Sequence, residues 1–218
     1  NLPVVQPSGT DRMSADAPPV ESAESQLKAI GKWLNQQHDK HGAFPVGVEP
    51  GDMPLSERFG WSARFIEETD TDHRVSPDRS RSWKDPANES FVRRRATRLL
   101  NPAVTTVASP DGFPAGHYAG VAGVGSDAPL LKKSHPRAGI FGIDRRTTRD
   151  DIRDGTSNTL MVVGVDSQPE AWASGAGGGG QPLGKSSPGS VITARGTEGV
   201  ATGAATGGGL TSAAGAVP

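Results

Sequence analysis

Two groups of residues in this sequence have the residue types and spacing of a binding site. The first matches the spacing of a phosphate-binding loop. The segment "GGQPLGKS" at residues 179–186 satisfies the G-x-x-x-x-G-K-S spacing of a nucleotide-binding P-loop. That loop requires a strand before the glycines and a helix after the Lys-Ser pair, so that backbone amides converge on phosphate. Here a glycine run precedes the match and a Pro-Gly pair follows it. We therefore interpret the match as a low-complexity coincidence and expect no nucleotide or other cofactor.

The second group could bind a metal ion. His38 and His41 stand three apart in a helical pattern, and a cluster of acidic residues follows an aromatic segment. The acidic residues are Glu67, Glu68, Asp70 and Asp72. Two histidines without a third ligand of matching spacing fall short of a zinc site, and carboxylates between turns suit either calcium or plain solvation. We favour a packed helix edge for the histidines and a solvated loop for the acids, and expect no metal site.

Composition narrows the function classes further. The chain has no cysteine, which excludes disulfides, thiolate metal sites and cysteine nucleophiles, and its formal charge of −1 provides no field that would gather nucleic acid. No stretch reaches the roughly 18 apolar residues of a membrane-spanning helix. No nucleophile–base set or catalytic motif can be assembled from the residues. We expect a protein that is not an enzyme, has no nucleic acid partner and carries no transmembrane segment in this chain.

Two helices are predicted to position the remaining features. From Glu21 onward, apolar residues recur at helical spacing until Gly42 ends the pattern. The proposed core-facing residues of this helix are Leu27, Ile30, Trp33 and Leu34, with His41 continuing the stripe. A second helix of about three turns is predicted to begin at the Asp85-Pro86 cap and to run to Leu100. Its three arginines, Arg93 to Arg95, are expected to form a solvated face.

Short β-like runs follow at 117–124, 138–143 and 159–165, and their glycine-broken connections predict antiparallel pairing. The segment "FGWSARFIEE" at 59–68 fits a strand or a short helix. Prolines in 1–21 and small residues beyond 175 predict extended arms on either side of one domain. The expected organisation is a proline-rich leader at 1–21, an α+β domain at 22–175 and a low-complexity tail at 176–218.

A charged corner introduces the last predicted strand. In "TTRDDIRDGTSNTLMVVGV", Thr148 and Asp151 have the spacing of a capping box for one helical turn through Ile152. The following residues have the side chains of a turn that tolerates positive φ and bonds its own backbone. They are Asp154, Gly155, Thr156, Ser157, Asn158 and Thr159. We interpret this corner as a structural turn that aims a strand, with no catalytic role.

Several segments of the chain resemble a bacterial pilin-like family of the prepilin or pseudopilin type, the domain of unknown function 1559, which is also labelled a solute-binding family. The resemblance lies in "SQLKAIGKWLNQQHDKHGAFPVG" at 25–47 and "IRDGTSNTLMVVGV" at 152–165, with weaker similarity at 59–68 and 117–125. It implies a pilin-like α+β fold, in which an N-terminal amphipathic helix packs on a small antiparallel sheet. The family's C-terminal H-x9-DG pattern is not found here.

The resemblance also implies export and transfers no catalytic residue. We expect a structural or assembly subunit of an extracytoplasmic filament or multi-subunit complex, in the periplasm, at the cell surface or outside the cell. Its partners would be protein subunits, contacted through the terminal arms. The alternative is a binding module for a small solute or glycan, for which Trp61, Trp83 and Trp172 are the candidate ligand-facing aromatics. The same tryptophans also suit core packing, which we favour.

Overall fold

The computed structural model describes residues 22–70, 75–165 and 169–175, together with the backbone of 181–183. The predictions for the leader at 1–21, for Asp72, for most of the tail and for most of the P-loop match lie outside these residues. The helices are α1 (Ala23–His41), α2 (Trp61–Thr69) and α3 (Glu89–Val92). The strands are β1 (Tyr118–Val124), β2 (Val162–Gly164) and β3 (Gln181–Leu183). Short 3-10 turns connect these elements.

Helix α1 follows its predicted limits. The Ser22 hydroxyl oxygen accepts a hydrogen bond from the Ser25 amide at 3.1 Å and caps the first turn. Gly42 takes a left-handed conformation with φ 71° and donates its amide to the His38 carbonyl, which ends the helix. The predicted apolar stripe is buried, but His41 is exposed, so its assignment to that stripe is wrong. Position 41 lies on the side of the helix that faces solvent.

The ambiguous segment at 59–68 forms helix α2. Its apolar side chains point into the core, where Trp61 and Phe65 surround Trp33 of α1 at ring distances of 6.3 and 5.3 Å. Helical spacing therefore prevails over the alternating pattern that suggested a strand. The two helices share this aromatic cluster, which fixes α1 against the domain.

The second predicted helix is much shorter than expected. The Asp85 carboxylate accepts from the Ala87 amide at 2.8 Å and caps a 3-10 turn, which leads directly into α3. The helix ends at Val92 because the Arg94 carbonyl accepts the Trp172 indole N–H at 3.0 Å, and Ala96 leaves helical geometry at ψ 76°. Arg94 is also not solvated as predicted. Its guanidinium lies 4.5 Å from the centre of the Phe91 ring and 3.5 Å from the Asp70 carboxylate.

The described strands form one small sheet in the order β2-β1-β3. Strands β1 and β2 pair antiparallel with Tyr118 opposite Gly164, as predicted, and β3, which lies in the predicted low-complexity tail, pairs parallel to β1. The sheet and the helices confirm the α+β class. The apolar stripe of α1 joins α2 and the strand residues in one hydrophobic core.

The predicted strand at 138–143 does not form a regular strand, although it lies beside β1. Its amides at Gly139 and Phe141 donate to the Ala122 and Val121 carbonyls at 2.8 and 3.1 Å. A Cβ on Gly139 would lie only 2.6 Å from the Val121 carbonyl oxygen. The two backbones thus approach more closely than a regular ladder of residues with side chains allows. The prediction of a regular strand at 138–143 is therefore wrong.

Among the residues that the structure describes, none of the helices combines the length and the apolar character needed to cross a membrane.

Candidate functional site

Helix α1 and the corner at 148–159 lie side by side, although they are far apart in the sequence. Arg149 joins them: its guanidinium donates to the Asp39 carboxylate at 2.6 Å and to the Asn35 side-chain oxygen at 3.0 Å. Its backbone amide donates to the His38 Nε2 atom at 3.1 Å. Helix α1 and the corner, which overlap the two segments that carry the family resemblance, therefore form a single surface, which we call the α1–corner surface.

The start of the corner is a capping box, as predicted. The Asp151 carboxylate accepts from the Thr148 amide at 2.9 Å and from the Thr148 hydroxyl at 2.8 Å. Lys133 lies 3.0 Å from the same carboxylate. The hydrogen bond from the Thr148 amide, together with those from Lys133 and the Thr148 hydroxyl, outweighs partial burial and lowers the pKa of Asp151. The carboxylate is thus held in its charged form by local structure.

Several polar groups of the DGTSNT turn bond to the backbone of the turn itself. Gly155 adopts a positive φ of 78°, and its carbonyl accepts from the Asn158 amide at 3.1 Å and from the Thr159 hydroxyl at 3.0 Å. The Asn158 side-chain amide donates to the Asp154 carbonyl at 2.9 Å. These are the bonds that a structural turn before β2 requires.

A groove of about 300 Å³ lies between α1 and the corner. Four buried apolar residues form what we call its floor: Leu27, Leu34, Met161 and Val162. Polar residues form its rim: Lys28, Lys32, Asn35, Thr156 and Ser157. The groove was not predicted from the sequence. A pair of lysines four apart, next to the apolar stripe of α1, was the only available signal, and it is common on surface helices.

The acidic residues considered as metal ligands are instead bound by protein groups. Arg79 donates to Glu67 at 2.6 Å, and although burial raises the pKa of Glu67, hydrogen bonds from Arg79 and Ser76 outweigh it and lower the pKa overall. Glu68 accepts from the Trp33 indole at 2.9 Å and from the Gln37 amide at 2.6 Å. The described part of the chain contains no cluster of three residues suited to a metal ion. Glu67 therefore ties α2 to the loop at 75–80, and Glu68 ties α2 to α1. The prediction of a loop is wrong for both residues, which lie in helix α2, although Glu68 is exposed to solvent.

The two histidines considered as metal ligands have different environments. His38 is half-buried, accepts the Arg149 amide and packs its ring 4.9 Å from that of Phe44, whereas His41 is exposed. His38 thus serves as a packed helix edge. A third histidine, His117, is fully buried: its Nδ1 accepts from the Asn101 amide at 2.9 Å, and its Nε2 bonds the Thr106 carbonyl at 2.7 Å. With a donor facing Nδ1, the proton lies on Nε2.

The three candidate ligand-facing tryptophans lie in the core. Trp61, Trp83 and Trp172 are each no more than 2% exposed. The Trp83 indole donates to the Ser56 carbonyl at 2.9 Å, and Trp172 packs edge to face on Phe91 at 5.2 Å. They are absent from the lining of the groove between α1 and the corner. Their aromatic surface is used for packing, as the favoured interpretation of the sequence had it.

Comparison with known proteins gives one match. A search of curated proteins and a search of solved structures each return no match. Residues 22–215 match the family model SBP_bac_10, described as "Protein of unknown function (DUF1559)". The match covers α1, the corner and the described sheet. The chain therefore belongs to the DUF1559 family, the family that its helix and DGTSNT segments resemble.

Proposed function

We propose that the chain is a non-enzymatic structural or assembly subunit of an extracytoplasmic filament or multi-subunit complex. One observation carries the proposal: the two segments typical of the family meet across the groove between α1 and the corner, and Arg149, just before the second segment, bonds to α1. Two of the described side chains with catalytic potential elsewhere in the chain serve the fold. Glu68 binds Trp33 and Gln37, and His117 bridges two backbone groups.

The proposed mechanism separates the inner and outer sides of α1. Its inner side is buried in the core through Leu27, Ile30, Trp33 and Leu34, so that side is not available to a neighbouring subunit. Its outer side is polar and lies next to the exposed DGTSNT turn. We propose that neighbouring subunits contact this surface and that residues 1–21 and 196–218 extend the contact. Segments that order on binding can cover a large area of a partner.

Deletion of residues 1–20 tests the role of the leader. We expect the deletion to abolish assembly, because it removes contact area between subunits, and to leave the core intact, because the described core begins with α1. Sedimentation velocity measures the assembly, and urea unfolding followed by circular dichroism measures the core. Deletion of 196–218 provides the matched test for the tail. Intact assembly by both truncated proteins would contradict the proposed arms.

The alternative function, a module for a small solute or glycan, needs a different site from the one first considered. Its candidate aromatics are buried, and an aromatic platform for a sugar ring requires exposed faces. The groove between α1 and the corner is the specific observation that favours a solute. A ligand-dependent rise in the melting temperature would support this function.

A further inference from the structure

We infer that the groove between α1 and the corner binds a small monocarboxylate with a short apolar body. The inference is independent of the assembly proposal, because it concerns the content of the groove and not the contact between subunits. It rests on three properties of the groove: the apolar floor, the single net positive charge of its α1 side and two hydroxyl groups.

The floor sets the character of the ligand body. Leu27, Leu34, Met161 and Val162 line the groove, and each is at most 6% exposed. A volume of about 300 Å³ lies at the lower end of the range for small-molecule sites. Because these side chains are already nearly covered, the floor offers only a small apolar area, which suits a short apolar body of a few carbon atoms.

The charge on the rim favours one negative charge. Lys28 and Lys32 line the groove one helical turn apart, and Glu24 lies 2.8 Å from Lys28. Among the described residues, no hydrogen bond or ion pair engages Lys32. With Glu24 beside Lys28, the described groups on this side of α1 sum to one positive charge at neutral pH, that of Lys32. That balance matches a monoanion better than a phosphate dianion, and it repels a cation.

The hydroxyl groups supply the remaining donors. Thr156 and Ser157 line the groove opposite the lysines, and within the described chain neither hydroxyl takes part in a hydrogen bond. Asn35, in contrast, is committed: its amide donates to the Gly31 carbonyl and its oxygen accepts from Arg149. A carboxylate has two acceptor oxygens and can take a donor from the lysine side and a donor from the hydroxyl side at once.

The test is a titration of the full chain with hexanoate, followed by saturation-transfer difference NMR, which detects weak ligands of large assemblies as well as of monomers. Hexan-1-ol, hexylammonium and inorganic phosphate are the comparison ligands, since each lacks the carboxylate or the apolar body. We expect saturable binding of hexanoate, and at least tenfold weaker binding of every comparison ligand, about the ratio for one charge-assisted hydrogen bond.

Variants locate the binding in the groove. Lys32→Gln should weaken hexanoate binding by about tenfold, because it removes the free positive charge. Lys40→Gln is the matched control: Lys40 is exposed on the same helix but is not among the residues lining the groove, so its replacement should leave binding unchanged. Ser157→Ala should weaken hexanoate binding without changing the weak binding of hexan-1-ol.

Four results would overturn the inference. They are absence of saturable hexanoate binding, equal binding of hexan-1-ol, equal binding of phosphate, and equal loss in Lys32→Gln and Lys40→Gln. Sedimentation of the same samples separates this inference from the assembly proposal. A Lys32→Gln protein that assembles normally and loses hexanoate supports the site, whereas a Lys32→Gln protein that binds hexanoate unchanged contradicts the site, whether or not it assembles.

Discussion

Replacing Arg145 by methionine is expected to lower the free energy of unfolding by about 3–5 kcal/mol, among the largest effects of any single substitution in this chain. Arg145 is only 6% exposed, and its guanidinium fills a cage of backbone carbonyls next to β1. It donates to the carbonyls of Leu131 at 2.6 Å, Ala122 at 2.8 Å and Ala128 at 3.1 Å, and also to that of Phe141. One side chain thus joins two segments, 128–131 and 138–143, to the central strand β1.

The size of the effect follows from what methionine leaves behind. The carbonyls of Ala122 and Ala128 would keep the Gly139 and Leu131 amides as donors. Those of Leu131 and Phe141 would lose the donor that Arg145 supplies, at a cost of about 1–3 kcal/mol for each group that stays buried and unpaired. Part of this cost is offset, because burial of the cation is itself unfavourable and lowers the pKa of Arg145. Arg145→Lys should also destabilise, since an ammonium group has three donors and lacks the planar fork that reaches carbonyls on several sides.

Urea unfolding measured by circular dichroism checks this prediction. Arg146→Met is the matched control, because Arg146 is the exposed neighbour of Arg145, and its replacement should change stability by less than about 0.5 kcal/mol. Equal stability of the two methionine variants would show that the carbonyl cage does not hold the loops.

Leu34→Ala is the second substitution with a large expected effect, a loss of about 2–5 kcal/mol in the free energy of unfolding. Leu34 is completely buried, and it contributes both to the main core and to the floor of the groove. Removing its isobutyl group leaves a cavity between α1 and the sheet, which rigid neighbours on both sides cannot fill. The loss measures directly how firmly α1 is attached to the domain.

Gln36→Ala is the control for this prediction. Gln36 lies two residues away on the exposed side of α1, and alanine has a slightly better helix propensity, so stability should stay the same or rise slightly. Thermal or urea unfolding compares the two proteins. If Leu34→Ala unfolded at the same urea concentration as Gln36→Ala, α1 would not be part of the core.

Helix α1 could be predicted from the sequence because local and long-range signals agree there. Its apolar stripe has helical spacing, and Gly42 supplies the left-handed residue that ends it. The corner could be predicted for the same reason. Thr148, Asp151 and Gly155 each satisfy a local backbone requirement, so a short window contains all the information that is needed.

The second helix and the strand at 138–143 could not be predicted because distant contacts decide them. Helix α3 stops where the Arg94 carbonyl meets the Trp172 indole, and the two residues are 78 positions apart. The strand loses its regularity where Gly139 lets the backbone approach Val121 closely. Both outcomes depend on which segments meet in the fold, and propensity within a window does not contain that information.

The groove and the carbonyl cage around Arg145 could not be predicted from the sequence for the same reason. Lys28 and Lys32 look like ordinary surface lysines until the corner is placed opposite them. Arg145 has backbone carbonyls as its partners. The sequence therefore contains no acidic residue at a characteristic spacing that would indicate a buried arginine. Side chains that bind backbone groups of distant loops leave little trace in a sequence.

The native mass of the full chain tests the central proposal most directly. The protein should be isolated under native conditions from the cells that produce it, then examined by sedimentation velocity and by negative-stain electron microscopy. Our account predicts filaments or discrete particles containing several protein subunits. Material that sediments only as a 22.6 kDa monomer at every concentration, and shows only separate single particles, would contradict it.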